Sequence, residues 1–171
     1  ASVVMDVGQS KLFMSSIVGG FSPFTYQWYL NSVPVTDATS SSWLFTPPSP
    51  GSYDVYVNAT DSTGTRAKSN IVIVTVNPPP AVTISPTSVV MDVGQSKLFT
   101  SNVTGGTIPF SYQWYLNDVL VVGATSSSWL FTPTSAASYT IFVNVTDYVG
   151  VTAKSNIAWV TVNPPPVVTV S

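Results

Sequence analysis

The side chains able to do chemistry in this chain are few, and most are Asn, Asp and Ser. Three Asn-x-Thr triplets, starting at Asn58, Asn102 and Asn144, are acceptor sequons for N-linked glycans. Two Asp-x-x-Gly segments, Asp61 to Gly64 and Asp147 to Gly150, each offer a carboxylate. Calcium takes six to eight oxygens, and the 7 acidic residues are scattered, so these segments read as hairpin turns with Gly at a positive-φ position. The sequence contains no His, Cys or Glu. That removes the imidazole base, the thiolate and most carboxylate pairs. Ser is plentiful, but none lies in a nucleophile-elbow context, and no Gly-rich phosphate loop is present. The expectation is a protein with no catalytic residues, no cofactor and no metal.

Charge points the same way. Only 7% of residues are charged and the net charge is −2, so nothing basic is available to neutralise phosphates, and nucleic acid is excluded as a partner. Mean hydropathy is positive, yet no apolar run approaches the roughly 18 residues of a membrane span. The N-terminal residues form no leader pattern, so the sequence reads as a mature or excised segment. Without Cys, folding must rest on packing rather than on disulfides.

The elements that position these residues are duplicated. Ser2–Pro80 aligns without a gap onto Ser88–Pro166, with roughly 70% of positions identical. The longest shared blocks are SVVMDVGQSKLF (2–13, 88–99), YQWYLN (26–31, 112–117), ATSSSWLFTP (38–47, 124–133) and AKSNI (67–71, 153–157). Each copy closes on Asn-Pro-Pro-Pro, a short stiff linker. The expected organisation is a first domain over 1–77, a linker over 78–80, a second domain over 81–163, and a tail over 164–171. Copy 2 is preceded by Ala81–Ser85, a β-rich stretch that copy 1 lacks. Its counterpart at the other end is Val167, Val168, Thr169, Val170 and Ser171. Ser171 falls one residue short of joining Ala1 in register, so the tail reads as a spare first strand and the front of domain 1 as its missing slot. The acceptor edge is expected at Ser2, Val3 and Val4.

Within copy 1 strands are expected near 2–6, 10–18, 24–31, 33–36, 41–46, 52–60 and 66–76, split by Gly, Pro, Asn and Asp turns. Seven strands in such a span predict an all-β fold of two tandem immunoglobulin-like sandwiches joined by the Pro-rich linker. Alternation turns Phe24, Tyr26, Trp28 and Leu30 inward, and Tyr53 stands where a tyrosine corner would. On Trp28 and Trp114, Tyr53 and Tyr139, Gly8-Gln9-Ser10 with its copy at 94–96, and the Asn-x-Thr-Asp runs at 58–61 and 144–147, the chain resembles the immunoglobulin-like superfamily. The resemblance is strongest to PKD-like and Ig-like tandem domains of archaeal and bacterial surface proteins. It implies an extracellular, cell-surface setting.

Parity also leaves apolar residues facing outward: Tyr29, Leu44, Tyr56, Ile71 and Ile73 in copy 1, and Tyr115, Leu130, Phe142, Ile157 and Trp159 in copy 2. With so few charges around them, they read as contact surfaces. The expected function is a structural subunit of an extracellular filament, sheath or surface layer, whose partners are copies of itself. Assembly would be head to tail, by donation of 167–171 to domain 1 of the next subunit. The alternatives are a segment of a long covalent Ig-like array in an adhesin or stalk, and a carbohydrate-binding surface module.

Overall fold

A computed structural model describes residues 1–170. Those residues contain strands and turns and no helix, and they divide into two compact units, Ala1–Pro79 and a second beginning at Pro80.

Unit 1 holds β1 (Ser2–Asp6), β2 (Lys11–Met14), β3 (Thr25–Leu30), β4 (Val33–Pro34), β5 (Ser42–Phe45), β6 (Gly51–Thr60), β7 (Arg66–Lys68) and β8 (Val72–Asn77). Its larger sheet runs β1-β8-β6-β3-β4, with β7 paired to the far half of β6; its smaller sheet is β2 against β5 alone. Strand β1 lies parallel to β8, and the other pairs are antiparallel. The β3–β4 hairpin closes on Asn31 and Ser32, both at positive φ, the two-residue turn whose twist suits adjoining strands.

Period-two alternation decides what goes inside. Phe13 is buried and Leu12 exposed, which resolves the parity of β2, and Trp28, Phe45, Tyr53, Val55, Val57, Val74 and Val76 complete the core. The rings of Phe13, Trp28, Trp43 and Phe45 are linked by centroid distances of 5.3–6.5 Å. The indole N–H of Trp28 donates to the Ser40 carbonyl at 2.9 Å, so the one polar atom of that buried ring is satisfied. The Tyr53 hydroxyl donates to the Ser49 carbonyl at 2.8 Å, four residues upstream, and Tyr139 does the same to Ser135 at 2.9 Å. Both are tyrosine corners.

Unit 2 repeats the plan with one addition. It consists of β9 (Ala81–Ser85), β10 (Ser88–Asp92), β11 (Lys97–Thr104), β12 (Ser111–Leu116), β13 (Val119–Leu120), β14 (Ser128–Phe131), β15 (Ala137–Thr146), β16 (Thr152–Lys154) and β17 (Ala158–Asn163). The larger sheet is β10-β17-β15-β12-β13 with β16 on β15, and the smaller sheet is β14-β11-β9, three strands instead of two.

Two strand expectations are corrected. The second strand of unit 1 was expected over 10–18 but stops at Met14, whereas its repeat β11 continues to Thr104 because β9 lies alongside and supplies ladder partners. The last strand, expected over 66–76, is broken over residues 69–71 into β7 and β8. There the Ser69 N–H donates to Val57 O, while its hydroxyl accepts from Val57 N and donates to Asn70 O, which holds the chain out of the ladder.

The corner bond can be tested alone. Tyr139→Phe keeps the ring's packing and deletes the donor, so it should cost about 1 kcal/mol, read as a shifted denaturant midpoint with unchanged slope.

Candidate assembly groove

Strand β9 shows what a sealed unit looks like. It pairs antiparallel with the second half of β11, from Ala81 opposite Thr104 to Ser85 opposite Thr100. Its side chains alternate, with Val82 and Ile84 buried and Ala81, Thr83 and Ser85 exposed. Its free flank is held by a side chain. The Ile84 N–H donates to Asn156 Oδ1 at 2.8 Å, and Asn156 Nδ2 donates to the Ile84 carbonyl at 3.3 Å. Beneath it Phe99, Val143, Val145 and Ala158 are fully buried.

Unit 1 has a groove of about 430 Å³ in the same place. Its walls include Phe13, Ile17, Ala59, Ala67, Asn70 and Val72, which are the repeat counterparts of Phe99, Val103, Val145, Ala153, Asn156 and Ala158. No strand among the described residues runs along its outer side. The core beneath is correspondingly more open: Phe13 is 8% exposed where Phe99 is 0%. Val72 is half-buried where Ala158 is sealed, and Ala67 is exposed where Ala153 is half-buried. Met14 and Val18, on the uncovered edge, are 77% and 99% exposed.

The β9 seat and the expected acceptor edge lie in different sheets. Ser2, Val3 and Val4 lie in β1 and pair with β8, in the sheet opposite β2. In unit 2 the first strand and its successor part company: β9 joins β11 in one sheet, and β10 joins β17 in the other. By that template the uncovered edge of unit 1 that corresponds to the β9 seat is the stretch from Met14 to Val18. The tail residues Val167, Val168 and Val170 are highly exposed and, with Thr169, belong to no strand. Ser171 lies outside the described residues.

The other predicted residues fall into three groups. Asn102 is exposed on β11, while Asn58 and Asn144 are half-buried in mid-sheet, flanked by Gln27 and Lys68 and by Gln113 and Lys154. Of the outward apolar residues, Leu44, Ile71, Ile73, Leu130, Ile157 and Trp159 are exposed. Tyr56 and Phe142 are not, which is a correction. Tyr29 stacks on Tyr56 at 4.8 Å and Tyr115 on Phe142 at 4.7 Å, while Lys68 and Lys154 cap the other side at 3.8 and 3.7 Å from the ring centroids. Each buried ring lies between a partly covered aromatic and an ammonium.

Asp61 and Asp147 are turn anchors. Asp61 Oδ1 accepts from the Thr63 hydroxyl and from the N–H groups of Thr63 and Thr65, and Oδ2 accepts from Phe21 N. Asp147 holds Val149, Val151 and Thr107 in the same way. Among the described residues no three His, Cys, Asp or Glu side chains gather as a potential metal site. The Thr63 hydroxyl bond holds the Asp61 carboxyl below its ordinary 3.8; desolvation opposes it, and the backbone donors Thr65, Phe21 and Thr63 add to the lowering.

Sequence reasoning missed Asn70 and Asn156, although both stand in the repeated AKSNI block. The available signal was a break in the repeat. Identity fails at four of the five positions between Met14–Val18 and 100–104, the stretch that β9 covers in one unit and not in the other.

No family model matches the chain. It is 34% identical over 131 residues to the highly immunogenic outer capsid protein of Enterobacteria phage T4, covering 71% of this chain. The chain spans 35% of that protein's length. Among solved structures, it is similar to the fibronectin(III)-like modules of Clostridium thermocellum CbhA, with a TM-score of 0.50 at 12% identity, over 96% of this chain and 90% of that one. The N-terminal four Ig domains of Dscam1 isoform 6.9 match with a TM-score of 0.47 at 17% identity, over 95% of this chain and 43% of that one. The strand order and the fibronectin-like likeness define the class as a tandem Ig-like β-sandwich protein.

Two measurements follow. At dilute monomer concentrations the Asn102 and Thr104 amides should exchange at least about tenfold more slowly than those of Ser16 and Val18, because only the former face a partner strand. Acid should also act on the Asp61 turn. Its carboxyl titrates lower in the folded than in the unfolded chain, so its contribution is present above the unfolded value and lost as pH falls through the folded one. The Asp61 carboxyl should titrate below its ordinary 3.8 in the folded chain, read by NMR, and Asp61→Asn should flatten the fall of stability with acid.

Proposed function

We propose that the chain is a non-enzymatic structural module of an extracellular surface assembly, and that a strand from a second copy completes its first unit. The observation that carries this reading is the groove of unit 1, which has the walls of the β9 seat without the strand. The segment Val167 to Ser171 repeats the Val-Thr-(Ile/Val)-Ser pattern of β9 and follows the same three prolines. Transposed by the repeat, Val168 and Val170 take the places of Val82 and Ile84. Each buried Val would contribute roughly 1.5–3 kcal/mol, and the ladder bonds would satisfy an edge that otherwise seeks partners. Head-to-tail contacts repeated without closure give a filament, sheath or layer rather than a ring.

The setting is a surface. The partial similarity to a phage outer capsid protein supports exposure on the exterior of a particle or cell. The resemblance to tandem PKD-like domains supports an archaeal or bacterial envelope. Asn102 is the sequon we expect to carry a glycan, since its side chain is exposed while Asn58 and Asn144 are flanked on both sides.

A second reading is favoured by the prolines. Pro164–Pro166 repeat Pro78–Pro80, and in a longer covalent array the residues after them would seed the next repeat of the same polypeptide. The intact mass of native material separates the two, since a far larger chain would rule out exchange between subunits.

For the present chain, deleting residues 167–171 should leave unit 2 folded and remove concentration-dependent association in sedimentation velocity. Undiminished association of the truncated chain would overturn strand donation.

A further inference from the structure

The repeated AKSNI block has a role that strand donation alone does not explain. In unit 2 the single amide of Asn156 grips both backbone groups of Ile84. Ladder bonds in an antiparallel pair alternate in direction. Ser101, opposite Ile84, donates its N–H to Ser127, away from β9, so Ile84 likewise turns its amide away from β11 and toward Asn156.

Unit 1 has the same clamp built and open. The Ser69 N–H donates to Val57 O at 2.9 Å, the Ser69 hydroxyl accepts from Val57 N at 3.1 Å, and it donates to Asn70 O at 2.8 Å. In unit 2 the matching bonds of Ser155 are 3.0, 3.0 and 2.7 Å. The backbone under Asn70 is thus fixed as it is under Asn156; both residues are exposed, and Asn70 lies on the wall of the groove.

We infer that Asn70 is the register-setting residue of unit 1, and that its amide grips the backbone N–H and C=O of Val170 from a second copy. This rests on the strand-accepting reading and deepens it. An amide carries one acceptor and two donors, so it meets both groups of one residue whatever that residue's side chain. A one-residue slip would offer Asn70 a residue whose amide faces β2, and would turn Val168 and Val170 out of the core. The clamp therefore selects register through the backbone, and the two inward positions select composition.

The test uses the full chain, dilute enough to be monomeric, titrated with a fluorescein-labelled peptide of residues 163–171 and read by anisotropy. Wild type should bind. Asn70→Ala should weaken binding about tenfold, the loss expected for two neutral hydrogen bonds, and Asn70→Asp, which keeps only the acceptor, should fall between. A peptide N-methylated at Val170 loses the N–H bond alone, so it should bind wild type more weakly than the plain peptide does, and Asn70→Ala should weaken the methylated peptide by less than it weakens the plain one. Equal binding of the plain peptide by wild type and Asn70→Ala would overturn the clamp and leave strand donation standing. Absence of binding to wild type would overturn both.

Discussion

The structure depends on one strand closing one side of a sandwich. A two-stranded sheet packed on a larger one leaves its outer edge unpaired and part of the core open to water. Unit 2 meets both demands with β9, which pairs with β11 and lowers Val82 and Ile84 onto Phe99 and Ala158. Unit 1 has the same larger sheet and nearly the same core residues, but its smaller sheet is only β2 and β5. The differences in exposure between paired residues of the two units follow from that single strand.

The energetics explain why side-chain burial is not enough to seat such a strand. Ordering five residues costs about 1–2 kcal/mol each, while two buried aliphatic side chains return roughly 1.5–3 kcal/mol each. The ordering cost exceeds that return, so seating depends on the backbone bonds. These come from two sides, the ladder to the neighbouring strand and the Asn amide on the far flank. Prolines before the strand lower the ordering cost by holding the preceding residues extended. A strand that arrives tethered has a further advantage through its high effective concentration. Seating of an untethered strand would accordingly be weaker and more dependent on concentration than the seating of β9.

Much of the fold could be read from the residues. Inward parity along Tyr53, Val55 and Val57, the Trp of the third strand and the tyrosine corner are local patterns with one structural solution, and they hold in both repeats. The rest was hidden because it depends on pairing between distant segments. Whether residues 15–18 extend a strand is decided by a neighbour, not by Ser15-Ser16-Ile17-Val18. The switch of sheet between β9 and β10 is likewise invisible in their sequences, which is why the acceptor edge was assigned to Ser2–Val4. Tyr56 and Phe142 were read as surface because parity gives a direction but not a cover; Tyr29 with Lys68 and Tyr115 with Lys154 supply one. Asn70 and Asn156 stood in a repeated block with no chemistry attached until one of them was seen gripping a backbone.

The edge of unit 1 departs from its repeat in a direction that matters. Protein edges left to solvent are commonly guarded by Lys, Pro or inward-turned charge. From Leu12 to Val18 there is no charged residue and no proline. Where unit 2 has Thr100 and Thr104, unit 1 has Met14 and Val18, so the uncovered edge is the more apolar of the two. An edge adapted to water would differ the other way. Apolar side chains along an unguarded edge thus lie beside a preformed groove and the Asn70 amide.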